Sequence, residues 1–231
     1  MVTNNILQRT FRIIHGKSAA TAFTIENKGI QYIVTARHLF KEIQNGSLIT
    51  ISILRNQEYI DYSARVMFHQ NPNIDCAVLI TSPYTDVTER YTIECTLHGI
   101  TLGQDVYFLG YPFEYDEVLK CLPQTTTPVP FVKKACLSGI SEEYGTFFLD
   151  GINNPGFSGG PVCYNDPQTK SLKVAGLINC YRYIETPVYK NDKAVKNMTI
   201  RENTGIIYAC SIQIVFEILE QTENSNFIAM K

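Results

Sequence analysis

Charge is scarce in this sequence. Only 18% of its 231 residues are Asp, Glu, Lys or Arg, and the formal net charge is −2. Its most basic cluster is the pair Lys133-Lys134. A protein that grips nucleic acid or an acidic membrane surface needs a dense positive face, so neither partner is expected. Long apolar runs are also missing. Nothing approaches the ~18 residues of a membrane helix, and the opening MVTNNILQRTFRIIHGK holds no apolar core of the kind a secretory signal needs. The expected compartment is the cytoplasm, with no membrane anchor and no accompanying PDZ-like domain. The seven cysteines are odd in number and lack any CxxC or Cys/His ligand spacing. That argues against a metal site and a disulfide framework and for buried, reduced thiols. No cofactor is expected.

Helical periodicity is the remaining scarcity. It occurs clearly once, in SIQIVFEILEQ, where Ile212, Val215, Phe216 and Leu219 share a face and predict a helix over about 211–222. A second, short helix is expected around RHLFKEIQ.

What the chain has in quantity is short runs of Ile, Val, Tyr, Phe and Thr, broken by Gly, Pro, Asn and Asp. About a dozen such runs at close spacing predict an all-β sandwich or barrel. The polar stretch 84–103 separates two strand-rich halves. Two further segments, 113–130 and 182–203, are expected as long irregular loops, either regulating a cleft or serving as plain surface.

The chemistry gathers around NNPGFSGGPV, Asn153 to Val162. Gly156 can adopt a backbone conformation closed to other residues, so that its N–H and that of Ser158 could face a developing oxyanion. Read alone, the stretch is also a plain glycine turn. A serine nucleophile needs a base and an orienting carboxylate. Of His15, His38, His69 and His98, only His38 sits where an apolar strand, YIVTA, delivers a side chain to a strand end. Asp75, in NPNIDCAVLI, lies where a turn meets an apolar strand; the alternative is that it merely closes the Asn-Pro-Asn turn. The order His, Asp, Ser is one of those that triad hydrolases use. Thirty-seven residues separate His38 from Asp75 and 83 separate Asp75 from Ser158, which sets the site between the two halves.

With ATAFTI, VTARH, IDCAVL, LGYP, NPGFSGGPV, VAGLINC and GIIYACSI in this order, the chain resembles the trypsin-like (chymotrypsin-fold) serine peptidases. It is most similar to the short, disulfide-free bacterial type, including HtrA-type peptidase domains. The resemblance covers Ala20 to the final helix. It implies two six-stranded Greek-key β-barrels with a C-terminal helix: a first barrel at 1–84 carrying His38 and Asp75, a linker at 85–101, and a second barrel at 102–231 carrying Ser158. It implies His38, Asp75 and Ser158 as triad, and the N–H groups of Gly156 and Ser158 as oxyanion hole. It also implies Ile152 at the base of the specificity pocket, Ile206 and Tyr208 on its wall, and Asn179, Cys180 and Tyr181 as the strand that pairs with substrate. Asn179 is further expected either to donate a hydrogen bond to Asp75 or to face solvent.

The sequence departs from secreted members of this family. Phe157 stands where they carry an aspartate that receives a freed N-terminus, so that route of activation is not expected. Ile152 replaces an acidic pocket base, which points to small or medium apolar side chains before the cut. The expected function is an intracellular serine endopeptidase acting on a protein or peptide; one dedicated partner in defence or stress is a speculation. The alternatives are a peptide-binding scaffold with a closed triad, and a serine esterase.

Overall fold

The computed structural model describes residues 1–55, 58–90, 92–113, 128–141 and 143–224, with the side chain of Tyr144 left aside. After a short helix α1 (Asn4–Arg9), six strands follow: β1 (Thr10–His15), β2 (Ser18–Asn27), β3 (Ile30–Thr35), β4 (Leu48–Arg55), β5 (Glu58–Phe68) and β6 (Ala77–Thr81). They close into a barrel in the order β1-β2-β3-β6-β5-β4. Phe11, Ile13, Ala22, Ile51, Ile53, Val66 and Leu79 fill its interior. They are the inward residues of alternating strands, as the two-residue period of a strand requires.

A two-residue strand β7 (Glu94–Cys95) leads into the second sheet: β8 (Asp105–Gly110), β9 (Phe131–Ser141), β10 (Thr146–Asp150), β11 (Pro161–Asn165), β12 (Leu172–Lys190) and β13 (Lys193–Ser211). The order is β8-β9-β10-β13-β12-β11, and pairing of β11 with both β8 and β12 closes the ring. This is the connectivity of the first barrel repeated, with β7 added in parallel beside β12. The chain ends its described part in α2 (Ile212–Asn224), whose buried face includes Ile212, Ile214, Val215, Ile218 and Leu219. These side chains share one apolar cluster with Phe23, Val34 and Val78 of the first barrel and Leu177 and Cys210 of the second. The helix therefore seals the seam between the barrels. No helix among the described residues is long and apolar enough to cross a membrane.

Several expectations need correction. The helix expected around RHLFKEIQ is only a single 3-10 turn, Arg37–Phe40. The segment 182–203 is not irregular. It is the distal half of a β12–β13 ribbon whose pairing runs out to Lys190 and Lys193. Its residues are solvated on both faces, so the apolar/polar alternation that marks a half-buried strand is missing. Asn191 and Asp192, at φ +51° and +62°, make its two-residue turn, the residue types such hairpin turns favour. The thiols are mixed: Cys76, Cys163 and Cys210 are buried, Cys95 and Cys136 half-buried and Cys180 exposed, all of them free. Cys121 and most of segment 113–130 lie outside the described residues. Helix α1 was not foreseen. It is anchored by Arg9, which is fully buried and bonded to Asn5 and, at 2.8 Å, to Glu26.

Candidate active site

β3 carries a buried run into the barrel end. Leu39 and Phe40 then turn back into the core, leaving His38 outward on the 3-10 turn. Ile74 and Cys76 are buried on either side of Asp75, so the strand start pins the carboxylate while its own side chain stays partly open. The preceding turn is closed by Asn71, which accepts from the N–H groups of Asn73 (3.0 Å) and Ile74 (3.2 Å). Asp75 is free of that task and clamps His38 twice. Its Oδ2 lies 2.8 Å from His38 Nδ1, and its Oδ1 accepts the His38 backbone N–H at 2.8 Å.

The two groups shift each other. The hydrogen bond that His38 donates to Asp75 raises the pKa of His38 above its usual 6.5, against a smaller opposing pull from burial. Burial pushes the Asp75 carboxyl up, but the bonds from His38 and the Arg37 backbone outweigh it and hold the carboxyl below its usual value. Two of the other histidines have structural partners: Nδ1 of His15 lies 2.9 Å from the Thr50 carbonyl, and His69 meets Gln221 and Glu217.

The second barrel supplies the serine loop, between β10 and β11. Every carbonyl from Ile152 to Ser158 has its own donor. Lys133 Nζ bonds Ile152 O, Asn203 Nδ2 bonds Asn153 O at 2.8 Å, and Phe157 N reaches Asn154 O at 3.4 Å. Phe113 N bonds Pro155 O at 3.3 Å, Thr21 Oγ1 bonds Gly156 O at 2.6 Å, Gly160 N bonds Phe157 O at 2.9 Å and Thr21 N bonds Ser158 O at 2.9 Å. In a trans peptide the C=O and the following N–H point oppositely. Fixing Pro155 O on Phe113 therefore turns the Gly156 N–H the other way. Neither that N–H nor the one of Ser158 donates to any described protein acceptor. Gly156, at φ +101°, must be glycine: a Cβ there would run into the Tyr111 carbonyl and lie 2.8 Å from Pro112 Cα. Gly159 abuts Thr35 and Ala36, three and two residues before His38, which fits the serine loop directly against the histidine's strand end.

Ser158 Oγ itself donates to the Asn179 carbonyl at 2.8 Å, not to His38. Asn179 makes no hydrogen bond to Asp75, and its Oδ1 is buried without a donor. The neighbouring Cys180 is exposed as a residue, and partial burial of its thiol together with the charge of Asp75 raises its pKa. On β12's outer side, pairing with β11 ends at Leu177, and from Asn179 the edge is open among the described residues. Ile152 and Ile206 are exposed, at 53% and 41%. Tyr208, half-buried, packs edge-on against Phe148 at 5.3 Å, and Tyr181 is half-buried. Two residues not singled out from the sequence stand out. Thr21 bridges the barrels by holding Gly156 and Ser158, and Lys133 grips the loop from β9.

The trypsin-like peptidase domain family matches residues 20–169, more than half of the chain. No curated protein sequence matches it. Among solved structures, the inactive form of Rv3671c from M. tuberculosis superposes with a TM-score of 0.58 at 15% identity, covering 97% of this chain and 93% of that one. Deg5 gives 0.60 at 16% identity over 95% and 90%. The HtrA-type protease AlgW, solved with a tripeptide, gives 0.60 at 16% over 95% of this chain and 61% of its own. At such identities these likenesses speak for the fold alone.

Proposed function

Because the chain belongs to the trypsin-like peptidase domain family, we propose that it is a serine endopeptidase working through Ser158, His38 and Asp75. The observation that carries this reading is the double clamp of Asp75 on His38, at 2.8 Å through both carboxylate oxygens. It fixes Nδ1 as the protonated nitrogen and leaves Nε2 as a base. Ser158 Oγ attacks a peptide carbonyl and His38 Nε2 takes its proton. The N–H groups of Gly156 and Ser158 receive the oxyanion, and Asp75 stabilises the imidazolium. His38 then returns the proton to the leaving amine, and water releases the acyl-enzyme.

Asn179 is the acceptor that a substrate strand would use. A peptide N–H arriving at the Asn179 carbonyl competes with Ser158 Oγ for it and frees the hydroxyl to turn toward His38. The exposed Ile152 and Ile206 support an apolar side chain before the scissile bond. Free thiols support a reducing, intracellular setting.

The bond from Ser158 to Asn179 also favours a second reading, a peptide-binding module held closed. A peptidyl phosphonate probe separates the two. The endopeptidase reading expects a covalent adduct on Ser158 by mass spectrometry, absent in Ser158→Ala. Wild-type protein left unlabelled while a control peptidase reacts sinks it. Matched peptide amide and ester substrates separate a peptidase from an esterase.

A further inference from the structure

Lys133 holds the serine loop at three points. From β9, where Lys133 pairs with Phe108 of β8, its Nζ donates to the Ile152 carbonyl and, at 2.7 Å, to Asn154 Oδ1. It also lies 5.5 Å from the centre of the Phe157 ring. The ring in turn packs edge-on against Phe108 at 5.1 Å and is 1% exposed. Two of these contacts, at Ile152 and Asn154, precede Gly156, and the third, Phe157, lies between Gly156 and Ser158. No carboxylate among the described residues pairs with Lys133. Its neighbour Lys134 is taken by Asp105 at 2.8 Å on the outside of the sheet.

We infer that Lys133 is a positioning residue, a built-in cation that straps the serine loop so that the N–H groups of Gly156 and Ser158 stay turned to the cleft. The inference rests on the proposed peptidase reading for its kinetic consequence, but not for its structural one. The physical case has three parts. An ammonium with neutral acceptors and an aromatic face binds all of them at once, which an isolated carbonyl contact does not do. Ile152 O has no other described donor, so removing Lys133 releases the start of the loop. The Phe157 ring, which cannot accept a hydrogen bond in the plane of its atoms, is held by the charge over it and by Phe108 beneath it.

Partial burial lowers the pKa of Lys133 from the usual 10.5, and no titratable group facing it counters this. The strap weakens as the amine loses its proton, on the alkaline side of neutrality.

The test uses the full chain with Lys133→Met and Lys133→Arg. Two measurements are made: kinetics of peptidyl phosphonate labelling, and amide hydrogen exchange over 152–159. Lys133→Met should slow the labelling step about 10- to 100-fold, below the ~10²–10³ expected for outright loss of an oxyanion donor, with probe affinity within about twofold. Exchange of the loop amides should rise about tenfold or more while that of β8 and β10 stays unchanged. Lys133→Arg, which keeps charge and donors, should restore both to within about threefold. In wild type the labelling rate should fall at alkaline pH below 10.5, and in Lys133→Met that limb should vanish. Loop exchange unchanged in Lys133→Met overturns the inference, even if no protein labels. So does a variant that labels like wild type but prefers different residues before the cut, which would make Lys133 a specificity residue instead. If wild type fails to label but loop exchange responds as described, the strap stands and the peptidase reading falls.

Discussion

Replacing Asp75 with asparagine tests the site where its geometry is tightest. In the wild type, Oδ1 accepts the His38 backbone N–H and Oδ2 accepts Nδ1–H, each at 2.8 Å. Asparagine has one oxygen and one NH₂ in the same places. Keeping the backbone bond puts the NH₂ against Nδ1, where only an unprotonated nitrogen can accept it. The ring proton then moves to Nε2, the atom that on the proposed reading takes the proton from Ser158. In trypsin-type triads this wrong tautomer costs about 10⁴ in turnover, or about 5.5 kcal/mol of transition-state stabilisation at about 1.4 kcal/mol per decade. The assay is the rate of peptidyl phosphonate labelling of Ser158, with thermal unfolding as a control that the barrels are intact. An Asp75→Asn variant retaining more than about a tenth of the wild-type rate would refute the idea that Asp75 orients the base.

Further outcomes follow from the same geometry. The wild-type labelling rate should rise with pH through a value above 6.5, because Asp75 favours the charged imidazole and only neutral His38 is a base. The stability contributed by that pair runs the other way: on the histidine side it is complete below pH 6.5 and lost as pH climbs through the raised pKa. Gly156→Ala should lower the labelling rate by ~10²–10³, since its Cβ would meet the Tyr111 carbonyl at φ +101°; a normal rate would mean the loop is free to shift. Thr21→Val removes the donor to Gly156 O and the acceptor for Tyr111 N. Chemical denaturation should show a loss of ~1–3 kcal/mol, with Thr21→Ser recovering it. Lys173→Met leaves the 2%-exposed Asp166 without the ammonium 2.7 Å away. Lys173 holds the Asp166 carboxyl well below the carboxylate range, so the pair stabilises above pH ~4 and the contribution fades in acid. The deficit in melting temperature should therefore be clear at about neutral pH and shrink as pH falls below the carboxylate range.

The strand-rich halves, the final helix and the candidate site, with its His38–Asp75 contact, were legible because each is written locally. An apolar run ends in His38, a turn opens on Asp75, and glycines flank Ser158. Other features were hidden for identifiable reasons. The ribbon at 182–203 carries no alternation, since water covers both its faces. Helix α1 spans only Asn4–Arg9, too few residues to show a period. The repeated barrel order lies in connectivity, not in similar residues, so it leaves no internal repeat to read. Thr21 stands 135 residues from Gly156 in sequence, and nothing in ATAFTI says which carbonyl its hydroxyl meets. Lys133 looked like half of a minor basic pair until the fold set it over Phe157.

The hydroxyl of Ser158, held on the Asn179 carbonyl, also bears on what this chain would refuse. If a peptide N–H must take over that carbonyl before the nucleophile is free, the first selection is made on backbone and not on side chains. A proline or N-methylated residue immediately before the cut brings no N–H, so it leaves the serine stored whatever its shape offers the pocket. Compact folded proteins refuse in the same way, because their amide hydrogens are already engaged. On the proposed reading, restraint toward bystander proteins would thus reside in one hydrogen bond within the site.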